Sequence, residues 1–166
     1  MTATYENIAT TTLGSNTASV TFSSISGLFT DLIAVLEITR STGQDVMVVQ
    51  VGNGSVDTGS NYSWRNVIGN GSSALSQSAS NQTSMEFALL NATPNPVIVQ
   101  FMNYSNTTTN KTVLARSNNT GATSRVGAYV GLWRSTSAIN TITFTAAGSG
   151  LFLSGSTFTI YGIKAE

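Results

Sequence analysis

Histidine and cysteine are both absent from this chain of 166 residues. The lack of cysteine excludes a disulfide framework, thiolate metal sites and a cysteine nucleophile, and the lack of histidine removes the commonest general base. Charged residues are also scarce, at 8 % where about a quarter is typical. We therefore expect no catalytic apparatus, no metal site and no cofactor.

Net charge and long apolar runs are missing as well. Seven basic residues balance seven acidic ones, so no broad field would attract nucleic acid or an anionic membrane surface. No stretch approaches the ~20 apolar residues that span a bilayer, and the first residues show no secretion signal. We expect a soluble protein whose charge-poor, Ser-, Thr- and Asn-rich surface suits packing against copies of itself.

The residues that dominate are Val, Ile, Thr, Phe and Tyr, in short runs separated by Gly, Asn and Ser. The run 31–40 has apolar residues on both faces, which is typical of a central strand. About ten strands are predicted, within 5–13, 18–25, 31–40, 45–51, 62–68, 84–90, 97–104, 111–117, 124–134, 139–145 and 156–164. The pattern predicts one all-β domain over 1–166, an antiparallel two-sheet sandwich of jelly-roll type, with a closed barrel as the alternative.

Three segments between these strands are predicted to be loops or turns. Pro94 and Pro96 cannot donate ladder hydrogen bonds, so their segment is expected to link two strands. The polar stretches 69–83 and 103–110 are predicted to be long loops, which are common places for binding.

Acidic residues are scattered singly, and a hydrolytic pair is not evident. Asp57 and Glu86 could pair across a cleft as in a glycosidase, but each is expected to be a structural or surface residue. The segment 57–61 offers oxygen ligands for Ca²⁺, yet it lacks the spaced acidic ligands of a calcium loop and is expected to form an Asx turn. We predict that the chain is not an enzyme.

Aromatic residues next to arginine suggest candidate sites for binding a partner. Tyr, Trp and Arg are enriched in interface hot spots. The alternative for the tryptophans is that they fill the core while the adjacent arginines face solvent. The candidates are Tyr62, Trp64, Arg65, Trp133 and Arg134.

The C-terminal stretch 154–166 (SGSTFTIYGIKAE) resembles the ending of many structural proteins of tailed bacteriophages. The segments 57–63 (DTGSNYS), 131–133 (GLW) and 139–144 (INTITF) are similar to that group too, so the likeness covers most of the chain from about residue 17. The resemblance implies a β-sandwich virion protein, either a capsid decoration (cement) protein or a tail-fibre or tail-tip module. It carries over no catalytic residue.

A compact chain with a short N-terminal arm, expected over residues 1–12, favours the decoration protein. Such a protein would be made in the host cytoplasm and sit on the capsid exterior, bound to the major capsid protein and to copies of itself as a homotrimer. Tyr5 and Ile8 are candidate anchors of the arm. The alternative is a receptor- or carbohydrate-binding module that contacts a host glycan.

Overall fold

The computed structural model describes residues 4–119 and 125–164, which form thirteen β-strands. The strands are β1 (Tyr5–Thr12), β2 (Ser19–Phe22), β3 (Asp31–Ile38), β4 (Asp45–Asn53), β5 (Ser55–Val56), β6 (Tyr62–Gly69), β7 (Ala74–Gln82), β8 (Met85–Leu90), β9 (Asn95–Met102), β10 (Lys111–Asn119), β11 (Arg125–Trp133), β12 (Thr141–Ala146) and β13 (Thr157–Ile163).

The strands form two antiparallel sheets. The larger sheet has eight strands in the order β1-β13-β3-β9-β10-β11-β6-β7. The smaller has five: β2, β12 and β4 lie side by side, and β5 and β8 both pair with β4. The all-β, antiparallel two-sheet prediction is confirmed, whereas the jelly-roll connectivity stays a prediction.

The core lies between the two sheets because alternate residues of each strand point to opposite faces. In β3 the inward set consists of Leu32, Ala34, Leu36 and Ile38, all buried. Aromatic rings join the layers: Phe144 of the smaller sheet lies 5.9 Å, between ring centroids, from Phe158 of the larger sheet. Buried residues of both sheets belong to one hydrophobic cluster.

Most of the predicted strands are present with ends shifted by a few residues, and β3 is an interior strand as expected. The prediction of a loop over 69–83 is wrong, because Ala74–Gln82 pairs with β6 as β7. Its Ser- and Gln-rich sequence has no apolar alternation, so the usual strand signal was missing. The other polar stretch, 103–110, contains no strand.

The N-terminal segment forms the strand predicted within 5–13, and it pairs in the sheet where an arm was expected over residues 1–12. From Tyr5 to Thr12 the chain is β1, paired with β13, and Lys164 Nζ donates a hydrogen bond to Glu6 Oε2 at 3.0 Å. Backbone pairing therefore holds this segment in the sheet; residues 1–3 lie outside the described part.

Candidate protein-binding surface

The outer face of the larger sheet, the face turned away from the smaller sheet, carries most of the large apolar side chains that are exposed on the described surface. Val67 and Val126 are each 61 % exposed. Monomeric proteins rarely expose contiguous apolar patches larger than a few hundred Å², and larger ones mark interaction sites. The exposed members are Val35, Val67, Ile98, Met102, Val126 and Val130.

Strand pairing places these residues side by side in cross-strand rows. Val35 is opposite Ile98, and Ile98 is opposite Arg116. In the neighbouring row Leu114 is opposite Val130. Five strands spaced ~4.8 Å apart span roughly 20 Å, so the apolar side chains of these rows are distributed across roughly that width of the face.

Both ends of the outer face are polar. Towards β1 the row through Val35 continues with Thr159 and Thr10, and towards β7 it ends in Ser76. An apolar centre with polar margins is the arrangement found in protein–protein interfaces.

A groove of about 500 Å³ runs through the centre of the outer face. Its apolar lining includes Val67, Ile98, Leu114 and Val130. Two arginines from different strands also line it, Arg65 of β6 and Arg116 of β10.

The two groove arginines are exposed. Neither guanidinium group forms a hydrogen bond or ion pair with another residue of the described ranges. An arginine fork binds carboxylates in a bidentate manner. The groove therefore matches an apolar partner segment that carries carboxylates.

The candidate binding residues predicted from sequence do not lie together. Arg65 is on the outer face, where it lines the groove. Tyr62 and Trp133 are buried in the core, as the core-filling alternative expected, and Trp64 belongs to the same inward-facing set and is half-buried. Arg134 lies just after β11.

The Tyr62 hydroxyl fastens the two sheets together at one end. It accepts a hydrogen bond from the Val51 N–H at 3.2 Å and lies 2.8 Å from the carbonyl oxygens of Val51 and Asp57. Burial raises the pKa of this phenol well above its ordinary value. The hydroxyl is thus a structural donor and acceptor.

Arg134 binds the surrounding chain. Its guanidinium donates to Ser63 Oγ at 2.5 Å, to the Ser60 carbonyl at 2.6 Å and to Asn81 Oδ1 at 3.0 Å. Its backbone N–H donates to the Asn61 carbonyl at 2.8 Å. The side chain therefore ties the loop before β6 to β7.

Two further candidates, Tyr5 and Ile8, lie on β1. Tyr5 is 57 % exposed and is opposite Ile163, with its side chain on the outer face. It lies on the edge strand of the larger sheet that is distant from the groove. Ile8 sits at an irregularity in the pairing of β1 with β13 and packs against the core.

The carboxylate of Asp57 is engaged in local structure. Oδ1 accepts a hydrogen bond from the Gly59 N–H at 2.8 Å, which forms the expected Asx turn, and Oδ2 accepts one from the Asn61 amide at 2.8 Å and one from Trp133 Nε1 at 2.8 Å. Burial would raise the pKa of Asp57, but the hydrogen bonds from Trp133, Asn61 and Gly59 outweigh it and lower the pKa.

Glu86 has a different environment from Asp57. Burial, with a smaller contribution from the charge of Asp45, raises the pKa of Glu86. Within the described residues no group of three or more Asp or Glu side chains could hold a metal ion. The part of the chain that the structure describes also contains no helix long and apolar enough to cross a membrane.

No protein-family model matches the chain, and the comparisons with curated proteins and with solved structures find no match either. The resemblance of its motifs to phage virion proteins therefore stays a prediction.

Sequence reasoning missed the outer face as a site. The signal was present in β3, where Ile33 and Val35 alternate with the buried set and make both faces apolar. That pattern predicted a strand covered on both sides. In the structure only the inner face is covered, and Val35 remains 43 % exposed.

Proposed function

We propose that this chain is a structural subunit of a tailed-phage virion, a decoration protein that binds the outside of the capsid through the outer face of its larger sheet. The observation that carries the proposal is the apolar, groove-bearing outer face on a chain with a charge-poor surface. Binding to a shell would cover the apolar side chains that are now exposed to water.

Energetics favour a protein partner for this face. Stable interfaces bury ~800 Å² on each partner, with an apolar centre and a polar rim. The apolar centre of the outer face, with Thr and Ser at its margins, provides a surface of that kind. Arg65 and Arg116 would bind carboxylates of the capsid protein and fix the orientation of the contact.

The protein would act by stabilising the assembled shell, without chemical catalysis. A subunit that binds two or more neighbouring capsid proteins favours the assembled shell over the dissociated one, since ligand binding to one state stabilises that state. We expect the purified protein to raise the melting temperature of shells prepared without it while leaving shell assembly intact.

The experiment compares three forms of the protein in binding to such shells. The double variant Val67→Glu/Val130→Glu places carboxylates in the apolar centre beside Arg65, and both positions are exposed, so folding should survive. The control Ser55→Glu/Thr107→Glu adds the same charge at exposed positions away from the outer face. We expect wild type and control to bind and to raise the melting temperature, and the outer-face variant to do neither.

Failure of the wild type to bind shells or to change their melting would overturn the proposal. Binding to tails, or selective binding in a glycan array, would instead support the tail-fibre or receptor-binding alternative. Shell binding retained by the outer-face variant would show that the outer face is not the contact. Measuring the mass of the free protein tests the predicted homotrimer.

A further inference from the structure

We propose that β7 is a self-association edge, at which two copies of this chain pair antiparallel about a twofold axis and join their larger sheets into one. This inference does not rest on capsid binding. It rests on the place of β7 at the end of the larger sheet and on its sequence.

Within the residues that the structure describes, β7 has a single strand neighbour. It ends the sheet order and pairs with β6 alone. Of its nine residues, eight are exposed and Ala79 is half-buried. An edge strand presents a row of unpaired N–H and C=O groups, which is a template for another strand.

Charge and proline, which protect many edge strands, are both absent from β7. From Asn66 to Met85 the sequence has no charged residue and no proline. The irregular pairing lies near the C-terminal end, where Asn81 has a positive φ of 56°. Six consecutive residues, Ala74–Ala79, pair in regular register with β6.

The other sheet edges in the described part of the chain are protected. β1 carries Glu6 and an irregularity between Asn7 and Ala9. β2 is four residues long and β5 two. β8 carries Glu86 and is mostly buried. Short strands, charges and bulges are the devices by which proteins prevent edge pairing, and the segment Ala74–Ala79 of β7 has none of them.

A second copy of β7 is the partner that fits this edge best. Antiparallel pairing about a twofold axis is self-complementary and closed, so it stops at two copies. The side chains of Ala74–Ala79 are uncharged, so identical residues meet without like-charge repulsion. A charged strand from another protein would find no complementary charge on β7.

The twofold contact predicts an even number of copies in the assembly. It gives dimers, or hexamers where a separate threefold contact also forms. It would also place the outer faces of the two copies next to each other. Ser76 and Ser78 of β7 are opposite Val67 and Arg65, so their side chains lie on the same outer face.

The absence of cysteine allows a clean crosslinking test. Single cysteines are introduced one at a time at positions 74–79 and the protein is oxidised, so every disulfide must join two chains. Residues facing each other in antiparallel strands have Cα atoms ~4.5–5.5 Å apart, within disulfide range. We expect one maximum of dimer yield near the twofold axis and a decline on both sides, because equivalent residues separate by ~6.6 Å per step from the axis.

A charge substitution provides the equilibrium measurement. Ser78→Lys puts one lysine on each chain within the paired edge, and Thr10→Lys puts the same charge on β1 at the opposite edge of the same sheet. By sedimentation equilibrium we expect Ser78→Lys to weaken dimerisation by about tenfold or more and Thr10→Lys to leave it unchanged.

Several results would overturn the proposal. A wild-type chain that stays monomeric at millimolar concentration with no crosslinking along β7 has no such contact. Equal yields at all six positions would indicate parallel pairing, and crosslinking only between Ser78→Cys and Thr10→Cys chains would indicate β7 pairing with β1. Each result can occur whether or not the protein binds capsids, so the two proposals fail separately.

Discussion

The indole Nε1 of Trp133 donates a hydrogen bond of 2.8 Å to Oδ2 of Asp57, which joins the end of β11 to the loop before β6. Trp133 is only 3 % exposed, so its N–H needs a partner within the protein. The same carboxylate organises the Asx turn, so the core and the loop depend on one another.

This contact predicts an energetic coupling between the two residues. Trp133→Phe keeps an aromatic ring but loses the donor, and Asp57→Asn removes the charge that strengthens the bond. In a double-mutant cycle monitored by urea unfolding, we expect each single variant to be destabilised and the coupling to be about 1 kcal/mol. Additive effects would show that the contact contributes nothing beyond packing.

The ionised carboxylates of Asp57 and Glu86 should have opposite effects on the pH dependence of stability, because their pKa values are shifted in opposite directions. The pKa of Asp57 is lowered in the folded state, so its stabilisation is present above the unfolded value near 3.8 and is lost as pH falls through the lower folded pKa. The pKa of Glu86 is raised above 4.5. Ionised Glu86 therefore opposes folding at neutral pH, and that penalty disappears as pH falls through the raised pKa to 4.5.

The matching variants are Asp57→Asn and Glu86→Gln. At pH 7 we expect Asp57→Asn to be less stable than wild type and Glu86→Gln to be more stable. Both differences should shrink as the pH is lowered, when measured by urea unfolding from pH 7 to pH 3. A Glu86→Gln variant that is less stable than wild type at pH 7 would contradict the burial of an ionised carboxylate.

Gly52 is required by a close backbone approach. A Cβ at this position would lie 1.9 Å from the Ser55 carbonyl oxygen, and a backbone atom cannot rotate away as a side chain can. We expect Gly52→Ala to destabilise the protein by about 3 kcal/mol or to prevent folding. Gly14→Ala is the control because nothing lies within 4 Å of its Cβ, and it should retain wild-type stability in thermal unfolding.

Asn95 stabilises the turn before β9 from within. It is fully buried, and its amide Nδ2, which carries two hydrogens, lies within hydrogen-bond distance of the carbonyl oxygens of Ile38 at 2.9 Å, Thr93 at 2.5 Å and Asn91 at 3.1 Å. Asn95→Leu leaves these carbonyls without that donor, so we expect a loss of about 2–4 kcal/mol.

The control for Asn95 is Thr107→Ala, an exposed threonine in another loop. It should stay within about 0.5 kcal/mol of wild type. An Asn95→Leu variant as stable as this control would show that the donors of Asn95 are dispensable.

Several elements could be predicted from the sequence because their information is local. Alternation marks β2 and β3, and the apolar runs mark β4, β9 and β13. The Asx turn at Asp57 follows from a side chain that reaches two residues along the chain. β7 could not be predicted, since small polar residues carry no alternation and its strand conformation depends on pairing with β6.

Composition, together with the pattern of short apolar runs along the chain, determined the class of this protein: an antiparallel β-sandwich with a nearly uncharged surface and neither imidazole nor thiol. Which apolar residues would be covered was decided by the tertiary structure. Leu36 and Val35 are neighbours of similar hydrophobicity, yet one is buried against the smaller sheet and the other is exposed in the outer face. The reason is physical: alternation assigns two faces to a strand, but only the packing of distant segments determines which face meets another layer.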